Sequence, residues 1–412
     1  MSGSGVHVFN VAVTRTSPTT CFFSITPNYL CDKMKAAHIT TWCAQGTVAD
    51  AILFGQVPSL PPPTKTNVLI TVKASSVNVD DVAILQDTAA GGWCFHGRKP
   101  TVAQPFVGGI EYSGVVAAIG PGVVTLKVGD RVCGIQDVMA KRPGTWSEQT
   151  MAPEKEIVLI PAECDISFVQ AAAMGMGACV SGDMYKRAQL QKPAKSELRC
   201  LVVGASGGLG TVLLQLLRQH KGPTLHIVAV CSSANEEKVR RLGADEVVDY
   251  HVGPFGSQLK DQPKFDVVFD FVGGKPVEQD AKRVMKKGAK FITACGPMAA
   301  VGDRQLSCCE WYGWACGLTC RLCACCAATK YEMAMFLPPM KAMDFNAFVV
   351  ETGIRAEIAM EVPFVEASVR EALRRVASRH PGGKVVFNME KEGSTTMATV
   401  ESASETTGEA KT

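Results

Sequence analysis

The chain is short of the features that mark several function classes. Its 42 Lys and Arg against 39 Asp and Glu leave a net charge of +3, so no electrostatic footprint for nucleic acid is expected. No uncharged apolar run reaches the roughly 18 residues that a bilayer-spanning helix needs. The 17 cysteines are not spaced like a secreted disulfide framework. They read mostly as reduced, small buried hydrophobes. No Ser/His/Asp or Cys/His set suggests hydrolysis. Acidic residues are missing from Met1 to Cys31, which hold one arginine, Arg15, and nine Ser or Thr. That is the composition of a weak organelle transit peptide or of an unstructured extension, with Met34 as a candidate start of the folded unit. From Lys391 on, large apolar side chains are nearly absent, and residues 391–412 are expected to be a disordered tail.

What is there is organised around Leu201-Val202-Val203-Gly204-Ala205-Ser206-Gly207-Gly208-Leu209-Gly210, followed by the apolar stretch Thr211 to Leu217. A buried strand, a glycine turn and a helix are the context of a dinucleotide fingerprint, here in the form G-x-x-G-x-x-G. Small residues let the backbone approach a pyrophosphate, and the amides opening the helix face the anion.

A chain of 412 residues holds two or three domains. Residues 1–33 form the extension. Residues 34–165 are strand-rich with Gly/Pro punctuation, which predicts a compact barrel-like β domain. Residues 166–344 alternate helices with buried strands, which predicts a parallel, doubly wound sheet. Its strands are expected at Leu201–Val203, His226–Cys231, Glu246–Tyr250, Phe265–Asp270 and Lys290–Ala294. Ligands bind beyond the carboxyl ends of such strands, which places Ser232, Val272 and the residues after Ala294 near a cofactor. Ser307 to Phe336 reads as irregular and cysteine-rich. Phe364 to Ser378 reads as an amphipathic helix, and Lys384 to Phe387 as a last strand.

Several marks occur in a fixed order: Ser76-Val77-Asn78-Val79-Asp80-Asp81, Gly109-Ile110-Glu111-Tyr112-Ser113-Gly114, Val128-Gly129-Asp130-Arg131-Val132, the fingerprint, Arg241-Leu242-Gly243-Ala244-Asp245, and Gly383-Lys384-Val385-Val386. With them the chain resembles the zinc-free quinone oxidoreductase branch of the medium-chain dehydrogenase/reductase superfamily, including its mitochondrial reticulon-interacting members. The resemblance implies an α/β protein with a GroES-like β-barrel domain and a Rossmann domain. It also implies a C-terminal segment, about 345–390, that returns to complete the β domain.

The same resemblance assigns the site. The two positions that carry catalytic-zinc ligands in the superfamily's alcohol dehydrogenases are Asn78 and Ile110 here, so no metal is expected. Asn78 is a candidate donor to the acceptor's oxygen, or a residue that only fastens a turn. Asp81 caps the next helix, and Glu111 is expected to be structural. The resemblance places Ser206, Gly207, Gly208 and Leu209 at the pyrophosphate, Val272 and Gly273 near the nicotinamide ribose, and Ser232 and Tyr250 at a 2′-phosphate. Cys231-Ser232-Ser233 stands where an NAD enzyme usually has an acid, so NADPH is the expected cofactor. Lys238 and Arg240 either support the phosphate or form a solvated helix face. Lys384 either reaches the cleft or lies on the surface.

The implied activity is zinc-independent hydride transfer to a quinone or other conjugated carbonyl. The alternatives are an enoyl-thioester reductase, or an NADPH-binding, membrane- or partner-associated protein with little turnover. Cys308, Cys309, Cys316, Cys320, Cys323, Cys325 and Cys326 form a cluster without a counterpart in the family. It reads as a segment packing on the cofactor domain or on a second subunit of a homodimer, as a membrane-associated patch, or, through Cys320-x-x-Cys323, as a metal or disulfide site. Location is expected to be mitochondrial or cytoplasmic.

Overall fold

A computed structural model describes residues 33–88, 99–137, 142–190, 197–297, 307–323, 329–334 and 349–391, and the backbone of 10–15 and 21–26. The tail after Lys391 and Cys325 and Cys326 lie outside the described residues, as does most of Met1 to Cys31. Within that extension, Asn10–Arg15 pairs antiparallel with Cys21–Thr26, so these two pieces are strands and not unstructured chain.

The β domain is built on Asn67–Val77, an 11-residue strand. A seven-stranded sheet runs Ile157–Leu159, Arg131–Ile135, Glu111–Ile119, Asn67–Val77, Lys384–Asn388, Ile358–Pro363, and Gln149–Pro153 also pairs with the central strand. A three-stranded sheet of Leu53–Pro58, Lys33–Ile39 and Phe106–Val107 stands beside it. Lys384–Asn388 inserts directly against Asn67–Val77, with Val386 opposite Ser76. Apolar side chains anchor this insertion. Phe387 packs edge-on against Trp146, with centroids 5.7 Å apart, and against Phe364 at 5.5 Å. Trp146 is fully buried and fits because Gly108 and Gly109 have no side chain. A Cβ at either would stand 2.4 Å from its ring.

The cofactor-type domain is a six-stranded sheet in the order Glu246–Asp249, Leu225–Cys231, Leu198–Val203, Phe265–Asp270, Met285–Thr293, Lys330–Met333. All its pairs are parallel. By chain order this is 3-2-1-4-5-6, the doubly wound order whose switch point falls between strands one and four. The central strands are buried on both faces, as their continuous Val, Ile and Leu runs require.

A helical segment joins the two domains. Phe168–Met176 is α-helical, Gly177–Ser181 makes a π turn, and Gly182–Ala188 resumes the α-helix. The disruption has a local cause. Met176 N–H donates to the Glu111 carboxylate from the β domain, so it is drawn away from the regular ladder. Gly175 lies on Glu111 and Gly177 on Val212, where added Cβ atoms would meet Glu111 Oε1 at 2.9 Å and Val212 Cγ2 at 3.0 Å. Gly175 and Gly177 thus let the helix pass between the two domains.

One expectation fails outright. Cys308–Leu322 is a helix, not irregular chain, and Lys330–Met333 is the sixth strand. The helix has a capping box in which Ser307 Oγ accepts from Glu310 N–H and the Glu310 carboxylate accepts from Ser307 N–H. The helix is seated by Leu318 and by Arg321, which reaches the buried Glu278 at 2.8 Å. Cys309, Cys316, Cys320 and Cys323 are exposed. Among the described residues, no helix is long and apolar enough to cross a membrane.

Truncating Phe387 to Ala should cost about 3–5 kcal/mol, because it empties a fully enclosed aromatic site. Urea unfolding of the two proteins measures this, and a change below about 1 kcal/mol would show that the returning strand is not held by this cluster.

Candidate active site

The turn after Leu198–Val203 is shaped by its glycines. Gly204 has φ +80°, a conformation that an L side chain rarely adopts. Gly210 opens the helix Gly210–Arg218, and a Cβ there would stand 2.4 Å from Gly204 O. The helix therefore starts hard against the turn, and Thr211 N–H and Val212 N–H are taken inside it by Gly207 O and Leu209 O. Ser206, Gly207, Gly208 and Leu209 form this cradle.

The other predicted residues gather along the same edge. Ser232 follows Leu225–Cys231, and Tyr250 follows Glu246–Asp249 on the neighbouring strand, where Cys231 and Asp249 are paired. Ser232 Oγ accepts from Asn235 Nδ2 at 2.9 Å, which leaves its hydroxyl hydrogen for another acceptor. Tyr250 is 43 % exposed and stacks on His251. Lys238 donates to Gly382 O at 2.6 Å, so it ties this rim to the returning segment. Arg240 is engaged by Glu236 and by Asp245 O.

Two acids, Asp270 and Asp249, hold the rim by binding backbone, and Asp245 does the same at the opposite, amino-terminal edge of the sheet; sequence reasoning did not identify these roles. Asp270 is 1 % exposed and accepts from Val272 N–H and Gly273 N–H at 2.9 Å and from Thr293 Oγ1 at 2.8 Å. Thr293 Oγ1 in turn accepts from Cys295 N–H and Gly296 N–H. The turns after strands four and five are thus pinned together. Burial raises the Asp270 carboxyl, against the pull of these donors. Asp249 accepts from His251 N–H and Ser233 N–H, and these bonds bring its carboxyl down to about 2. Asp245 accepts from Ile227 N–H at 2.8 Å. The signal was present: each acid stands at a strand end or entry, where backbone amides need partners.

Facing this edge, the β domain presents a buried charge cluster. Glu111 is fully buried. Its Oε2 accepts from Lys384 Nζ at 2.5 Å, from Asn78 Nδ2 at 2.8 Å and from Ser76 Oγ. Its Oε1 takes Met176 N–H. Lys384 Nζ also donates to Asn78 Oδ1 at 2.6 Å. Lys384 is 5 % exposed, which overturns the surface-lysine expectation. Insertion of its strand into the sheet carries it inward, across the fingerprint. A Cβ on Gly208 would stand 2.8 Å from Lys384 Cδ.

This geometry also bears on Asn78. Its Nδ2 donates to Glu111 at 2.8 Å and lies 3.2 Å from Ser76 Oγ; those two acceptors are bonded to each other, so they share one amide hydrogen and leave the second uncommitted by them. The carboxamide cannot turn round without setting its oxygen against the Glu111 carboxylate. Asn78 here orients Lys384. Asp81 does cap the next helix: its Oδ2 accepts Asn78 N–H at 2.7 Å within a capping box. Ile110 is buried beside Glu111. Among the described residues, no three His, Cys, Asp or Glu side chains converge as a metal-ligand set.

Replacing Lys384 by Met strands a buried carboxylate and should cost about 3–5 kcal/mol. A Glu111→Gln/Lys384→Met double variant should recover part of that loss. Additive losses in chemical denaturation would mean that the two side chains are not coupled.

Comparisons with known proteins agree with this architecture. The alcohol dehydrogenase GroES-like domain family matches residues 64–162, and the zinc-binding dehydrogenase family matches residues 242–387. Mitochondrial NAD(P)H oxidoreductase RTN4IP1 of Mus musculus is 32 % identical over 340 residues, covering 78 % of this chain and 81 % of that protein. The chloroplastic NADPH-dependent alkenal/one oxidoreductase of Arabidopsis thaliana is 32 % identical over 205 residues, 48 % of this chain and 50 % of that protein. The solved quinone oxidoreductase of Coxiella burnetii superposes with a TM-score of 0.65 at 20 % identity, covering 86 % and 99 % of the two chains, a likeness of fold. The chain belongs to the medium-chain dehydrogenase/reductase superfamily of oxidoreductases, and its relatives include the mitochondrial NAD(P)H oxidoreductases.

Proposed function

We propose that the protein is an NADPH-dependent, zinc-independent reductase of quinones or other conjugated carbonyl acceptors. One observation carries this reading. A glycine cradle at the switch point of the sheet is overlaid by Lys384, a cation delivered from the opposite domain. The cradle fits a pyrophosphate, since its close approaches leave no space for side chains. Lys384 Nζ has three hydrogens, of which Asn78 and Glu111 take two. The third is available to the anion over Gly208.

A reduced nicotinamide supplies a hydride when bound. The chain's own groups position that ring and the acceptor. Asp270 and Thr293 fix the turn at Val272 and Gly273 against which the nicotinamide ribose rests. Ser232 and Tyr250 hold the 2′-phosphate, and no carboxylate of the second strand's end opposes it. Asp249, at the end of the third strand, is occupied by local amides.

The acceptor class follows from the donor set. Ile110 has no lone pair to ligate a metal, and Asn78 is a poor ligand whose oxygen already accepts from Lys384. A simple ketone would leave a strongly basic alkoxide without a Lewis acid. A quinone or enone delocalises the new charge, so placement suffices. The mitochondrion is the proposed location, on the composition of Met1 to Cys31 and on the naming of the relatives.

Purified protein should oxidise NADPH with a quinone or enone, contain no stoichiometric zinc, and keep its turnover in chelator. Activity that requires added zinc would overturn the metal-free reading, and exclusive activity with enoyl thioesters would replace the acceptor class. Ser232→Asp should lower kcat/KM for NADPH by about tenfold or more, equivalent to about 1.4 kcal/mol, and leave NADH nearly unchanged. An equal loss with both cofactors would remove Ser232 from the phosphate site.

A further inference from the structure

The helix Cys308–Leu322 closes over the edge of the six-stranded sheet, and at its last turn lies a cavity of about 180 Å³. Phe291 and Tyr331 line it from the sheet, Glu278 and Lys282 from the helix Lys275–Val284, and Cys320 and Arg321 from the last turn itself. Phe291 and Tyr331 are register partners on adjacent parallel strands, so both rings stand on one face of the sheet. Their centroids are 5.5 Å apart and their planes are tilted by 32°. None of these residues belongs to the cofactor crevice.

The size of the cavity bounds its occupant. An apolar cavity of about 150 Å³ is enough to hold benzene, so there is room for one six-membered ring with a small substituent. The two rings offer such an occupant an aromatic wall, against which a third ring packs edge-on or offset.

The polar groups decide the substituent. Glu278 is buried and both its oxygens are taken: Oε1 accepts from Lys282 Nζ at 2.6 Å, and Oε2 from Arg321 Nε at 2.8 Å. One carboxylate between two cations leaves the site a surplus positive charge. The Arg321 guanidinium is held in place, 5.9 Å over the Tyr331 ring and with Nη1 donating to Gly317 O at 3.0 Å. Among the described residues no acceptor takes its Nη2. The Tyr331 hydroxyl is shut off from solvent and also lacks a partner among the described residues. Burial raises this phenol, with Glu278 adding to the rise and Arg321 opposing it, so the hydroxyl feels the charged groups of the cavity. Donors are thus to spare, and the carboxylate that could satisfy them is already saturated.

We propose that this cavity is a binding site for a small aromatic carboxylate. The ring of the ligand lies against Phe291 and Tyr331, and its carboxylate accepts from Arg321 Nη2 and from the Tyr331 hydroxyl. An anion with two acceptor oxygens answers both the surplus charge and the unused donors. An aliphatic acid lacks the ring, and a neutral amide lacks the charge. Cys320 is exposed at the open side of the cavity and takes no part in the binding.

Calorimetric titration of the full chain with benzoate should show one site with a Kd of about 1 mM or tighter, and acetate and benzamide should each bind at least about tenfold more weakly. Tyr331→Phe keeps the ring and removes the hydroxyl, and it should weaken benzoate about tenfold. Cys320→Phe changes an exposed position, leaves the bonds to Glu278 alone and fills the cavity from its mouth, so it should abolish binding. It also tests the site if Tyr331→Phe does not fold. Saturating NADPH should leave benzoate binding unchanged. Absence of benzoate binding, binding that is the same in the folded variants as in the wild type, or displacement of benzoate by NADPH overturns the proposal.

Discussion

The ion pair between Glu111 and Lys384 is the contact on which the site depends. Both groups are almost wholly removed from water, a state that is tolerable only when nearly every donor and acceptor finds a partner. Here the partners come from far apart in the chain. Ser76 and Asn78 lie on and after the central β strand, Met176 opens the π turn between the domains, and Lys384 belongs to the returning strand. One carboxylate thus fixes the β domain, the connecting helix and the closing segment relative to one another. Because Lys384 also lies across Gly208, the same contact ties the glycine turn to the β domain.

Around the cradle, the chain uses carboxylates to shape backbone. Asp270 gathers the turn at Val272 and Gly273, and Asp249 gathers the turns at Ser233 and His251. Each replaces backbone partners that the end of a strand no longer provides. The consequence is a rim whose turns are rigid while its charge is already committed inward.

The opposite wall of the crevice has a different character. Ile110 is apolar, and the Asn78 oxygen is held by Lys384. The cysteine-rich helix stands apart from this wall. Arg321 and Leu318 hold it to the cofactor-type domain, and its exposed thiols face outward.

Much of the architecture could be read from local pattern. Continuous Val/Ile/Leu runs alternating with helices determined the parallel sheet, because strands buried on both faces need apolar residues throughout. Gly204 and Gly210 shaped the turn, because a φ of +80° at the first and the close approach of the second to Gly204 O exclude a side chain. Asp81 as a helix cap was equally local. The helix from Cys308 to Leu322 was missed even though its capping box at Ser307 and Glu310 lies in plain sequence, since its small residues and cysteines lack clear periodicity. What tertiary structure alone decided was the burial of Lys384, its pairing with Glu111 across 273 residues, and the bond it gives the Asn78 oxygen. Those outcomes depend on which strand enters the sheet beside Asn67–Val77. A lysine in the sequence is charged and solvent-seeking until a distant carboxylate, brought within hydrogen-bonding reach by the closed sheet, makes its burial tolerable.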